Sequence, residues 1–248
     1  MKHESIETNA GLLIILTLIV ISIGGLVEIV PLYFIDSTIE EVKVDGKDTI
    51  HPYSPLELRG RDIYQREGCY LCHSQMIRPF RDEALRYGHY SLAAESKFDH
   101  PFQWGSKRTG PDLARVGNKY SNEWHVQHLM APRSVVKESI MPNYPWLMKP
   151  LQYKDIRDRM RALKMVGVPY SETAKEYQAN AERFGMDIAK RLDILKAEEN
   201  LLAQAASGKY DGNADDITEM DALVSYLQLL GTMVDFNKFD EGHFAKFR

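Results

Sequence analysis

Apolar and polar positions divide the chain into segments with different periods. Gly11 to Val27 carry no charge, and apolar character continues through Ile29, Val30, Leu32, Tyr33 and Phe34, broken only by Glu28 and Pro31. As a helix, residues 11–34 reach about 36 Å, enough to cross a bilayer with some tilt, and Tyr33 and Phe34 suit an interface. A polar linker, 35–54, follows, in which Asp45-Gly46-Lys47-Asp48 predicts the turn of a short hairpin. Ser54, Pro55 and Glu57 form a helix start, predicting a helix from Leu56 to Glu67 that buries Leu58, Ile63 and Tyr64 and stops at Gly68. Residues 79–150, rich in Gly, Pro and aromatics, predict loops with short helices such as Ser121–Met130, wrapped around something the sequence does not itself supply. From Ser171 to Ala206 apolar residues recur every three or four positions (Ala181, Phe184, Ile188, Leu192, Leu195), predicting one long amphipathic helix. A last helix is expected over Thr218–Leu230, ended by Gly231. The expected class is all-α.

The N-terminal run exceeds the 7–15 apolar residues of a signal peptide and lacks a small-residue cleavage site, so it reads as an uncleaved anchor. Lys2 on one side and the mainly acidic 36–48 stretch on the other favour the N-terminus inside. Glu28 is costly in hydrocarbon unless it lies near the headgroups or faces a partner helix, and Gly24 and Gly25 permit such close contact. A net charge of −4 over 248 residues gives no basic face for nucleic acid.

The 2 cysteines fall in one pentapeptide, Cys69-Tyr70-Leu71-Cys72-His73. This spacing suits covalent attachment of one haem: two thiols reach the two vinyl groups of a porphyrin edge, and the next residue, His73, falls under the iron. A thioredoxin-like pair would follow a strand, and a zinc site would use more cysteines. Pro111, in Thr109-Gly110-Pro111-Asp112-Leu113, can present a carbonyl to the second nitrogen of His73. Among Met76, Met130, Met141, Met148 and Met165, the residue best placed as sixth ligand is Met141, in a proline-rich loop where Tyr144 and Trp146 can close the pocket; His125 or His128 is the alternative.

Gly60 and Tyr64 ahead of Cys69–His73, then Gly110-Pro111-Asp112-Leu113, Met141-Pro142 and the Leu223–Leu230 helix resemble a class I cytochrome c domain, in which the first and last helices cross near-perpendicularly. More of the chain, Gly24–Pro31, Gly68–Pro79 and His100–Leu113, resembles the monohaem subunit II of cbb3-type cytochrome c oxidases. That resemblance implies one haem c, and an electron relay from a dihaem cytochrome c subunit to the b-type haem of a catalytic subunit that also carries copper and reduces oxygen. It implies a single-pass protein of the bacterial inner membrane, with residues 1–10 cytoplasmic and the haem domain, 55–235 with the 171–206 helix inserted, periplasmic ahead of a 236–248 tail. Trp104, Ser106, Lys107 and Arg108, beside the Gly110-Pro111 loop, are then expected to contact the catalytic subunit with a basic residue near haem propionates, and Glu28 to contact it in the membrane. The competing readings are a free-standing membrane-anchored carrier and a haem-based ligand sensor.

Overall fold

The computed structural model describes residues 3–31, 39–212, 216–239 and 242–244. It divides into two units, residues 1–40 with 241–248, and residues 41–240. In the first, α1 (His3–Glu7) precedes α2 (Ala10–Gly24), whose start is fixed by Asn9 Oδ1 accepting from the Leu12 amide at 3.1 Å. The helix continues through a widened π turn, Gly25–Ile29, in which the Val30 amide donates to the Gly25 carbonyl. Ala10–Ile29 is one helix of 20 residues, about 30 Å long, and is long and apolar enough to cross a membrane. Glu28 sits in the π turn, exposed. Tyr33 and Phe34 lie outside the described residues.

The second unit opens with the expected hairpin. Strands β1 (Lys43–Val44) and β2 (Lys47–Asp48) pair antiparallel around Asp45 and Gly46, both at positive φ. Helix α3 (Pro55–Arg66) begins as predicted: the Glu57 carboxylate accepts from the Ser54 amide at 2.8 Å, while the Ser54 hydroxyl donates to Gln204. Gly68, at φ +71°, then turns the chain. Short helices α4 (Arg81–Tyr87), α5 (Asn122–Met130) and α6 (Pro132–Val135) punctuate the loops of the middle region. Ser121 caps α5 by accepting from the Trp124 amide.

Next come α7 (Ile156–Met165), α8 (Ala174–Phe184), α9 (Met186–Arg191) and α10 (Ala197–Gly208), before the last helix, α11 (Glu219–Leu229), capped by Thr218. The expected single helix over 171–206 is therefore three helices and a 3-10 turn. Gly185, at φ +94°, breaks it once, and Asp193 caps a new turn by accepting from the Leu195 amide.

The core is the crossing of α3 and α11. A Cβ on Gly60 would stand 1.9 Å from the Ala222 carbonyl oxygen, so only glycine permits this approach. Leu56, Leu58, Ile63, Met220, Leu223 and Val224 are almost fully buried around it, each contributing about 1.5–3 kcal/mol. Arg66 and Glu219 join the end of α3 to the start of α11 as an ion pair. Helices α7–α10 cover another flank of α3: Gln204 donates to Glu57 at 3.0 Å and Arg159 to Asp62 at 3.0 Å. Their segment leaves and returns through a narrow neck, where the Leu151 amide donates to the Ile217 carbonyl (2.8 Å) and the Glu219 amide to the Lys149 carbonyl (3.0 Å).

Candidate haem site

After Gly68 the cysteine motif coils into a 3-10 turn, Cys69–Leu71, with the His73 amide donating to the Cys69 carbonyl at 2.9 Å. Two backbone bonds lay the 110–113 loop along this turn: Gly110 N to Cys72 O and Leu113 N to Ser74 O, both 2.9 Å. They bring the Pro111 carbonyl to 2.8 Å from His73 Nδ1. A carbonyl only accepts, so Nδ1 carries the proton and Nε2 keeps its lone pair. Gly110 makes room for the ring, since a Cβ there would lie 2.2 Å from His73 Cε1.

Asp112 pins the same loop, accepting from Ser74 Oγ (2.5 Å), the Met76 amide (3.0 Å) and the Ala114 amide (2.8 Å). The sequence offered one cue to this role, an aspartate directly after proline at a turn. Tyr64, buried in α3, donates to the His73 carbonyl at 3.5 Å.

Cys69, Cys72 and His73 line a cavity of about 470 Å³ with Pro111, Met141 and Tyr144. Gly110, α5 residues and two α11 residues, Leu223 and Leu227, also line it. Met141 is the one methionine of the five candidates on this wall; Met148 and Met165 are exposed, and Met76 and Met130 lie elsewhere. Trp146, expected in the pocket, is not part of the lining. It is half exposed, its indole nitrogen donates to Glu67 at 3.1 Å, and it meets Tyr144 edge-on at 5.3 Å. It therefore buttresses a pocket residue from outside.

The two cysteines are not bonded to each other. Burial, with Glu67 adding, pushes the Cys69 thiol up to about 12, the opposite of the lowered value a redox dithiol needs. Among the described residues no three His, Cys, Asp or Glu side chains converge as a metal site would require.

The subunit-contact candidates separate. Ser106, Lys107 and Trp104 are exposed, with Trp104 stacked on Phe102 at 4.6 Å. Arg108 is turned inward: it donates to Ser74 Oγ (2.6 Å), the Met76 carbonyl (2.9 Å) and Glu83 (2.7 Å). It is a strut of the motif loop, and neither it nor Lys107 lines the cavity. The permanent cations that do are Arg115 and Lys119.

Residues 3–234 match the model of the family described as cytochrome c oxidase, mono-heme subunit/FixO. The chain belongs to this family. No curated protein matches it. Membership in FixO makes the chain a subunit of a cytochrome c oxidase carrying one haem, and so part of a complex with other oxidase subunits rather than a free-standing carrier or a sensor. The site fits that cofactor, with an imidazole held by a backbone acceptor, a thioether on the same cavity and a glycine where any side chain would strike the imidazole. Sequence reasoning on this FixO member left His125 and His128 as alternatives only, yet both line the cavity with a buried ring nitrogen unpartnered among the described residues.

Proposed function

We propose that this FixO subunit holds its haem through thioethers at Cys69 and Cys72, with His73 as proximal and Met141 as distal iron ligand. The observation that carries the reading is the 2.8 Å contact between His73 Nδ1 and the Pro111 carbonyl, which reserves Nε2 for iron. When bound, the haem supplies one-electron exchange between ferric and ferrous iron. The protein's part is positional. Pro111 fixes the tautomer and raises the basicity of His73, and Met141 offers a soft, neutral sulfur that favours the ferrous state. Tyr144 and Leu223 keep water from the iron.

In this reading the chain relays single electrons from a dihaem cytochrome c subunit to the b-type haem of the copper-containing catalytic subunit, where oxygen is reduced and protons are pumped. Helix α2 anchors the protein in the bacterial inner membrane with the N-terminus cytoplasmic and the haem domain periplasmic, where thioether attachment takes place. Trp104, Ser106 and Lys107 supply the contact with the catalytic subunit, and Glu28 with Gly24 and Gly25 a contact in the membrane. Mild detergent extraction and haem staining test this together. The chain should retain haem on a denaturing gel and run in a complex that contains b-type haem. Loss of the stain in wild-type protein, or migration as a lone subunit, would reject it.

A further inference from the structure

Helix α5 places His125 and His128 three residues apart, on one face. Both line the cavity that also holds His73 and Met141. His125 is only 3% exposed and its Nε2 has no partner among the described residues; the buried Nδ1 of His128 has none either. Buried polar atoms are nearly always paired, so two orphaned imidazole nitrogens on one cavity wall point to a group that the cavity receives.

The two are not equivalent. His125 is pushed down to about 4 by burial, and the neighbouring charge it feels is that of His128. His128 is lowered by burial first and then by the charge of His73. His128 is thus the imidazole within electrostatic reach of the proximal ligand. Its ring is held flat against Trp124, at 4.6 Å and 13° between planes. The loop that carries Met141 is tied down beside it, because the Tyr144 amide donates to the carbonyl of Leu129, the next residue, at 2.8 Å. Met141 and His128 therefore belong to one wall.

We propose that His128 is a reserve distal ligand, whose imidazole takes the sixth position on the haem iron whenever the Met141 thioether leaves it. The exchange breaks an iron–sulfur bond and forms an iron–nitrogen bond; the imidazole enters neutral, so no proton or electron moves. Its value follows from the chemistry of the complex. An electron relay in an oxidase works beside dioxygen, and ferrous haem with an open position binds dioxygen or carbon monoxide. An internal imidazole keeps that position closed, at the cost of a lower potential until the thioether returns.

The inference rests on His73 and Met141 being the resting ligands, and the test separates the two claims. Full-length haem-loaded protein is compared as wild type, Met141→Ala, Met141→Ala/His128→Phe and Met141→Ala/His125→Phe, by absorption and electron paramagnetic resonance, with carbon monoxide added to the reduced form. Met141→Ala should lose the sulfur-to-iron charge-transfer band, stay low-spin and refuse carbon monoxide. Adding His128→Phe should make the haem high-spin and carbon monoxide-binding, with external imidazole restoring the low-spin spectrum and so showing an intact pocket. His125→Phe should leave the low-spin state in place. A high-spin, carbon monoxide-binding Met141→Ala protein overturns the reserve ligand while leaving Met141 as the resting one. A low-spin spectrum that survives His128→Phe overturns it as well. Persistence of the charge-transfer band in Met141→Ala rejects the resting ligand and this inference with it. Should His128→Phe not fold, His128→Gln in the same background gives the same readouts.

Discussion

His73 Nδ1 lies 2.8 Å from the carbonyl oxygen of Pro111, and this contact survives only because residue 110 has no side chain. Gly110→Ala should drive a methyl into the imidazole. Overpacking of this kind costs about 1–3 kcal/mol, and the displaced ring should lose iron ligation as well. Chemical denaturation of haem-loaded protein, read at the Soret band, measures both effects. Pro111→Ala keeps the carbonyl and should retain ligation; equal damage from the two substitutions would contradict the assignment.

Replacing Met141 by Leu keeps volume roughly constant while removing the sulfur donor. Covalent haem should remain on a denaturing gel, since Cys69 and Cys72 are untouched. The midpoint potential should fall by on the order of 0.1 V, within the roughly 0.8 V span over which axial ligands shift haem potentials. An unchanged potential by redox titration would move the distal role to another residue.

The helix crossing gives a stability prediction independent of haem. A methyl at Gly60 would meet backbone at Ala222, which cannot rotate away as a side chain can. Gly60→Ala should destabilise the domain by about 3 kcal/mol, at the upper end for overpacking. A thermal midpoint within one degree of wild type would count against the packing described.

Glu83 sets an acid limit. Its hydrogen bond from Arg108, and further ones from Arg78, hold its carboxyl down to about 2. A folded-state value below the ordinary carboxylate value of about 4.3 stabilises the fold above that value, and the contribution disappears as pH falls from about 4 towards 2. Glu83→Gln should lower stability at pH 7 and flatten its dependence on pH across that window. Denaturation midpoints at pH 7, 4 and 2.5 decide the matter; parallel curves for the two proteins would refute it.

Lys107 and Arg108 are neighbours with opposite fates. Lys107→Glu should slow electron transfer between subunits and leave the haem domain intact. Arg108→Glu should instead unseat the motif loop, because its partners are Ser74, Glu83 and the Met76 carbonyl. Stopped-flow reduction of the purified complex, alongside domain melting, separates the two. Normal stability in Arg108→Glu would show that the side chain is expendable.

What was legible in the sequence had local causes. The Ser54–Glu57 capping box marked the start of α3, and the pentapeptide at Cys69 marked residues that line the cavity. The break at Gly185 was hidden because Phe184 to Ile188 keeps a helical spacing of four across it, so the apolar period runs through a turn that the backbone does not. Arg108 looked like a surface cation because its shorter carboxylate contact, Glu83, is remote along the chain, although Asp112, four residues on, also reaches it at 3.4 Å. Trp146 was misplaced for a related reason: its anchor, Glu67, sits at the end of α3.

The narrow neck at Leu151 and Ile217 has an architectural consequence. Strands joined by such a bridge stand about 5 Å apart, the span of a tight turn. Helices α7–α10 thus leave and rejoin the chain at one neck, while Tyr170, Phe184 and Leu201 pack into the same hydrophobic core as α3 and α11 and Arg183 pairs with Asp48 of β2. A chain cut at 152 and 216 and rejoined by a two-residue turn would keep α3, α11 and the haem cavity in register. It would uncover the flank of α3 that those helices now roof, together with the Tyr53 carbonyl, Phe98 and Asp48, which Tyr170, Phe184 and Arg183 now engage. Such a neck is also where a segment of different length could be installed, provided that it covers the same apolar core surface.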